Sequence, residues 1–177
     1  MNEKGYTLVE VAVVVLLIGI MLGIAVPRVW DILQGDRMKS SARRLIGMVK
    51  ELRNDAVREQ VDYELHLDLD NACYWKCSAD TTPEKRNEIK NRANRLSEGI
   101  KIADIVPWGQ EKKTQGEAVI KFFRKGYKQP AAVHLAYGDK YMTLVFNPFM
   151  TEVKIYNRYV DVRRRSAAKA KPDFEFQ

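Results

Sequence analysis

Few residues in this chain have both the type and the spacing to do chemistry, and Glu10 is the foremost. From Val11 to Val26 every side chain is apolar or glycine, and Glu10 is the only charge between Lys4 and Arg28. An acidic side chain near the centre of a membrane helix costs about 2.5 to 3.5 kcal/mol on insertion scales, less near the interface. A carboxylate at that place needs a reason. The two cysteines, Cys73 and Cys77, are too few for a disulfide scaffold. In one straight strand their α-carbons would lie about 13 Å apart, so a Cys73–Cys77 disulfide requires a turn between them. The two histidines, His66 and His134, supply no cluster for a zinc or triad site, so no metal or other cofactor is expected. Glu64, Asp68 and Asp70 have the chemistry to hold a cation, but acidic strand faces are usually just solvated. Arg163, Arg164 and Arg165 could contact nucleic-acid phosphates without reading bases. Followed by Lys169 and Lys171 and then by Asp173 and Glu175, they read as a solvated tail. There is no phosphate-cradling glycine loop and no nucleophile elbow. The chain does not read as an enzyme.

These residues are positioned by two kinds of element. With 177 residues and a net charge of +7, there is room for one ordinary domain besides the apolar front. The charge admits anionic partners such as nucleic acid, lipid headgroups or acidic protein surfaces. Mean hydropathy is negative despite that front, so the remainder is polar and water-exposed. A helix from Tyr6 to Val29 would be roughly 35 Å long, against a hydrocarbon core of about 30 Å. Lys4 is balanced by Glu3 while Arg28, Arg37 and Lys39 lie beyond, so flanking charge does not orient the segment. A cleaved secretory signal would use Met1 to Lys4 as its charged region and Gly23-Ile24-Ala25 as its cleavage site, but its apolar run is long and Glu10 interrupts its start. A plain anchor fits the length and leaves Glu10 unexplained. Gly19 and Gly23 are spaced like a small-residue packing face. Pro27 predicts a kink or melted turn.

From Met38 to Gln60, Leu45, Met48, Val49, Leu52 and Ala56 recur at spacings of three and four, an apolar stripe. Arg43, Arg44, Lys50, Arg53 and Arg58 lie mostly off it, on a solvent-facing side. Strand signals begin at Tyr63, where Leu65, Leu67 and Leu69 alternate with Glu64, His66, Asp68 and Asp70. This places His66 on the polar, surface side. Asp70-Asn71 predicts a turn and Ala72 to Lys76 a return strand. Ser78 to Leu96 reads as an exposed loop or short surface helix. Further strands are predicted over Lys101 to Val106, Ala118 to Phe123, Ala132 to Ala136, Tyr141 to Phe146 and Val153 to Tyr156. Trp75, Trp108, Phe122, Phe123, Phe146 and Tyr156 read as core or sheet surface rather than a stacking platform.

Lys4-Gly5-Tyr6-Thr7-Leu8-Val9-Glu10, followed by the apolar run and Pro27, resembles the processing site of type IV prepilins and pseudopilins. Tyr6 stands where that family more often has phenylalanine. The resemblance implies that prepilin peptidase cuts between Gly5 and Tyr6 and methylates the new N-terminus at Tyr6. It also gives Glu10 a role: a buried carboxylate alone is costly, whereas one facing a neighbour's N-terminal ammonium recovers much of that cost and sets the assembly register. Ala42-Arg43-Arg44-Leu45, Ala56-Val57-Arg58, Phe122 with Gly126, Val133-His134-Leu135, and Phe146-Asn147-Pro148 before Val153-Lys154-Ile155 resemble the GspH/FimT group of minor pilin-like proteins.

That resemblance implies an α+β pilin-like fold, in which a long N-terminal transmembrane-plus-amphipathic helix packs on a C-terminal antiparallel β domain of two small sheets. The segments would be a leader (1–5), a transmembrane helix (6–29), its amphipathic continuation (30–61), a periplasmic β domain (62–160) and a basic tail (161–177). The expected role is a minor pseudopilin of type II secretion, at or near the pseudopilus tip, held in the inner membrane by a single pass. Expected partners are major and minor pseudopilins, prepilin peptidase, inner-membrane lipid, and the outer-membrane secretin or an exported protein. An oxidising periplasm would permit the Cys73–Cys77 bond. The alternative is a FimT-like minor type IV pilin in pilus initiation or DNA uptake, and nucleic acid is a partner only under that reading.

Overall fold

Residues 8–162 are described by a computed structural model, with the side chains of residues 24–35 outside the description. Two units divide the chain, Met1–Arg37 and Met38–Gln177. Helix α1 covers Leu8–Glu59. The chain stays helical through Pro27, so the melted turn predicted there is not found. Within the first unit, Leu8 to Leu22 present large apolar side chains that are all exposed, on every side of the helix.

In the second unit the α1 stripe is Met38, Ala42, Leu45, Val49, Leu52 and Ala56, each at most 4% exposed. Met48, predicted on the stripe, is only half-buried at its margin. Ser41 also lies buried beside the stripe. Its hydroxyl donates to Ser97 Oγ at 2.9 Å and accepts the Ser97 backbone N–H at 3.1 Å, which makes its burial tolerable.

The strands form two antiparallel four-stranded sheets. Strands β1 (Tyr63–Asp68), β2 (Cys73–Ser78), β3 (Asn94–Arg95) and β5 (Glu117–Phe122) make the first, in the order β3-β2-β1-β5. Strands β4 (Lys101–Pro107), β6 (Ala131–Tyr137), β7 (Lys140–Phe146) and β8 (Val153–Tyr156) make the second, in the order β4-β6-β7-β8. Leu65, Leu67, Ile120 and Phe122 from the first sheet join Ile105, Val133, Leu135, Leu144 and Phe146 from the second and the α1 stripe in one core cluster. The α+β architecture with two small sheets is the one expected.

Two local devices set the register. The Asp68 carboxylate accepts hydrogen bonds from the backbone N–H groups of Asp70 and Asn71 at 3.1 and 2.9 Å, closing the turn before β2. A β-bulge between Ile102 and Asp104 shifts β4 against β6 and sets Asp104 opposite His134. Between β2 and β3, helix α2 (Pro83–Asn91) packs on β2. Period-two alternation predicts one wet face for β1; α2 instead covers that face, so Glu64, His66 and Asp68 are shielded along with Leu65 and Leu67.

Two basic side chains are drawn into the fold, and of these Arg53 departs from the solvent-facing role expected of it. Arg53 of α1 donates to Gly126 O at 2.8 Å and also bonds Thr151. Lys128 is 1% exposed and donates to Met150 O at 2.8 Å, and its burial, with Arg53 nearby, pushes its pKa down. Gly99 adopts φ +80, and a Cβ there would stand 2.6 Å from the Tyr137 ring. Gly99→Ala should therefore cost about 1 to 2 kcal/mol, read as a lowered denaturation midpoint.

Candidate functional site

Glu10 lies in the first turn of α1, exposed among exposed apolar neighbours. A helix that is hydrophobic all round is stable only when something else covers it. Leu8 is 86% exposed and Leu16 63%, and each such side chain gains about 1.5 to 3 kcal/mol when fully buried. This segment is built to be surrounded by lipid or other helices. Among the described residues no helix is long and apolar enough to cross a membrane. The span read from sequence continues past Gly23, where side chains are not described. Gly5 and Tyr6 at one end, and Arg163, Arg164 and Arg165 at the other, lie outside the described residues.

The β domain holds two buried histidine clusters. Beneath α2, His66 is 3% exposed, stacked on Trp75 at 5.2 Å between ring centroids. Its Nδ1 is 2.6 Å from Glu117 Oε1, and its Nε2 is 3.2 Å from Cys77 Sγ and 3.3 Å from Glu64 Oε2. Lys90 of α2 pairs with Glu117 at 3.0 Å, and Arg86 stands 3.9 Å from Glu64. Burial opposes ionisation of Glu117, but the bonds from His66 and Lys90 outweigh it and hold its pKa below the usual value. The surface position predicted for His66 is thus corrected, because α2 shields what alternation marks as the wet side.

The disulfide expectation is also corrected. Cys73 and Cys77 are both free thiols within the single strand β2. The turn precedes Cys73 rather than separating the pair, so the bond has no geometry to form. Burial raises the pKa of both thiols.

In the second sheet His134 is fully buried. Its Nδ1 meets Asp104 Oδ1 at 2.6 Å and its Nε2 meets the Val160 carbonyl at 3.0 Å. Tyr159 stacks on the imidazole at 4.1 Å, and Lys112 reaches Asp104 at 3.1 Å and the Tyr159 hydroxyl at 2.9 Å. Thr143 donates to Arg158 O at 2.7 Å and accepts from Val160 N at 3.0 Å. Burial disfavours the Asp104 anion, yet the His134 and Lys112 bonds win and lower its pKa. An Asp–His pair can orient a general base, but Nε2 here is spent on a backbone carbonyl. The pair's work is to fasten residues 158–160 onto the sheet. An apolar cleft of about 500 Å³ opens nearby, lined by Pro107, Trp108, Pro130, Phe146, Pro148 and Val162 among others.

Residues 1–26 match the prokaryotic N-terminal methylation motif. Over 137 residues the chain is 27% identical to type II secretion system protein H of Pseudomonas aeruginosa, covering 77% of this chain and 78% of that protein. Its fold matches two solved structures of the minor pseudopilin EpsH from the Vibrio cholerae type II secretion system. One gives a TM-score of 0.51 at 13% identity, over 71% of this chain and 97% of that one. The other gives 0.51 at 12%, over 71% and 99%. The chain is similar to the H-type minor pseudopilins of type II secretion in both sequence and fold.

In this chain the residues singled out from sequence are not gathered into one site. Glu10 stands in the first unit, Cys73 and Cys77 on β2 and Glu64, Asp68 and Asp70 on and just after β1 in the second, and Gly5, Tyr6, Arg163, Arg164 and Arg165 fall outside the described residues. Sequence reading missed the two histidine clusters. Two signals were available for the first: Glu64 and His66 share a strand face, and α2 carries Arg86 and Lys90 at helical spacing to meet acidic residues. No signal marks the bulge that brings Asp104 to His134.

Proposed function

We propose that this chain is a minor pseudopilin, a structural subunit at or near the tip of a type II secretion pseudopilus, supporting protein export across the outer membrane. The observation that carries the reading is the union of a methylation-motif N-terminus, a helix with exposed apolar side chains on all sides, and the two-sheet β domain. In this reading prepilin peptidase cuts after Gly5, and Tyr6 is methylated. The apolar helix then holds the subunit in the inner membrane, the β domain stands in the periplasm, and Glu10 faces the N-terminus of an adjoining subunit. The work is mechanical: helices pack in a bundle while the β domain offers surface to other pseudopilins, the secretin or cargo.

Deleting the chromosomal copy and scoring both exoprotein secretion and natural transformation tests the assignment. Secretion should fall while DNA uptake is unchanged. Loss of DNA uptake with normal secretion would transfer the protein to a FimT-like pilus role.

A further inference from the structure

We propose that Glu64, His66 and Cys77 form a binding site for a zinc-class divalent cation. Glu64 and Cys77 are directly paired across β1 and β2, and His66 lies two residues along on the same face. One ligand atom from each converges, all within 4.8 Å of one another. Zinc bonds of about 2.0 Å to oxygen and nitrogen and about 2.3 Å to sulfur put tetrahedral N···O and N···S separations near 3.3 and 3.6 Å, estimates that follow from those bond lengths. Here Nε2 lies 3.3 Å from Glu64 Oε2 and 3.2 Å from Cys77 Sγ. A slight widening at sulfur, with the Glu64 oxygen and Cys77 sulfur, now within 4.8 Å, settling at about 3.5 Å, admits the ion.

The surroundings fit a ligand set. Glu117 at 2.6 Å takes the Nδ1 proton, which fixes the tautomer whose Nε2 lone pair points inward. This is the carboxylate–histidine arrangement that supports metal-bound imidazoles. In that tautomer Nε2 and the Glu64 carboxylate are two acceptors facing each other, and the single Cys77 proton cannot satisfy both. A cation between them satisfies all three ligands. On binding, the Cys77 S–H gives its proton to solvent, and thiolate plus carboxylate balance the two positive charges. The surplus charge of Glu117 is met by Lys90 at 3.0 Å, and Arg86 stands by Glu64 at 3.9 Å. Sulfur and imidazole donors favour zinc over magnesium or calcium. Water would fill the fourth position, and the ion would staple β1 to β2 beneath α2.

The test uses the full chain in detergent, stripped with a chelator and titrated with Zn²⁺ against a chromophoric competitor, with Co²⁺ as the spectroscopic probe. The expected result is one ion per chain and a thiolate-to-cobalt charge-transfer band. Cys77→Ser should abolish the band, Glu64→Gln should weaken affinity by about tenfold or more, and Cys73→Ser should change neither. If Cys77→Ser does not fold, as judged by circular dichroism, Glu64→Gln carries the test. Substoichiometric binding, no charge-transfer band in the wild type, or affinity indifferent to Glu64→Gln would overturn the site.

Discussion

Glu10→Ala should leave the subunit processed and membrane-inserted but absent from the assembled pseudopilus. Removing a charge from an apolar helix makes insertion easier, by as much as about 2.5 to 3.5 kcal/mol if the site is deep. Any defect must therefore come from a later step. In the bundle proposed above, the neighbour's N-terminal ammonium would face Glu10; with alanine there, that cation would be buried without its partner. Breaking a buried pair by removing one member costs about 3 to 5 kcal/mol, more than a hundredfold in an association constant. Apolar packing alone cannot make up the loss, because helices slide against each other and against lipid at little cost. Immunoblotting should show normal cleavage, and crosslinking through engineered cysteines to the major pseudopilin should fall to background. Crosslinking at the wild-type level would overturn the role given to Glu10.

The second large effect lies in the β domain. His134→Ala should lower the unfolding free energy by about 3 kcal/mol, because it strands the buried Asp104 carboxylate with Lys112 as its remaining partner. It also frees Val160 O and removes the ring on which Tyr159 stacks, so residues 158–160 should lose protection from hydrogen exchange. The acid response follows from Asp104. Its folded pKa lies below its ordinary value of 3.8, so the stabilisation is complete above that value and is lost as pH falls through the folded one. Asp68 and Glu117 are shifted the same way. Urea midpoints should fall steeply below about pH 4 in the wild type and less steeply in Asp104→Asn. Equal slopes would show that Asp104 does not contribute to the acid response.

The parts of this fold legible in the sequence are those fixed by short-range pattern. The β8 bounds Val153–Tyr156 are as predicted, and β1, β4, β5, β6 and β7 agree to within a residue or so, because alternation and turn residues act locally. The stripe from Leu45 to Ala56 is likewise buried as its spacing demands. Strand β3 escaped because two residues carry no period. His66 was misplaced because shielding of a sheet's second face depends on α2, some twenty residues later in the chain. The turn that a Cys73–Cys77 bond requires between the two cysteines is absent: the turn lies at Asp70-Asn71, as predicted, and leaves both cysteines on one strand. Glu10 stood out because an isolated charge in an apolar run is visible without a fold. The assembly partner proposed for it belongs to another subunit.

Arg53 gives α1 a mechanical property. Its guanidinium holds Gly126, in the connection from the first sheet to the second, and Thr151, in the loop leading into β8. The Leu45–Leu52 face is keyed into the core that both sheets share. A pull along the helix at Arg53 is therefore divided between the two sheets rather than peeling one from the other. In the mechanical role proposed above, the β domain would be loaded as a single block.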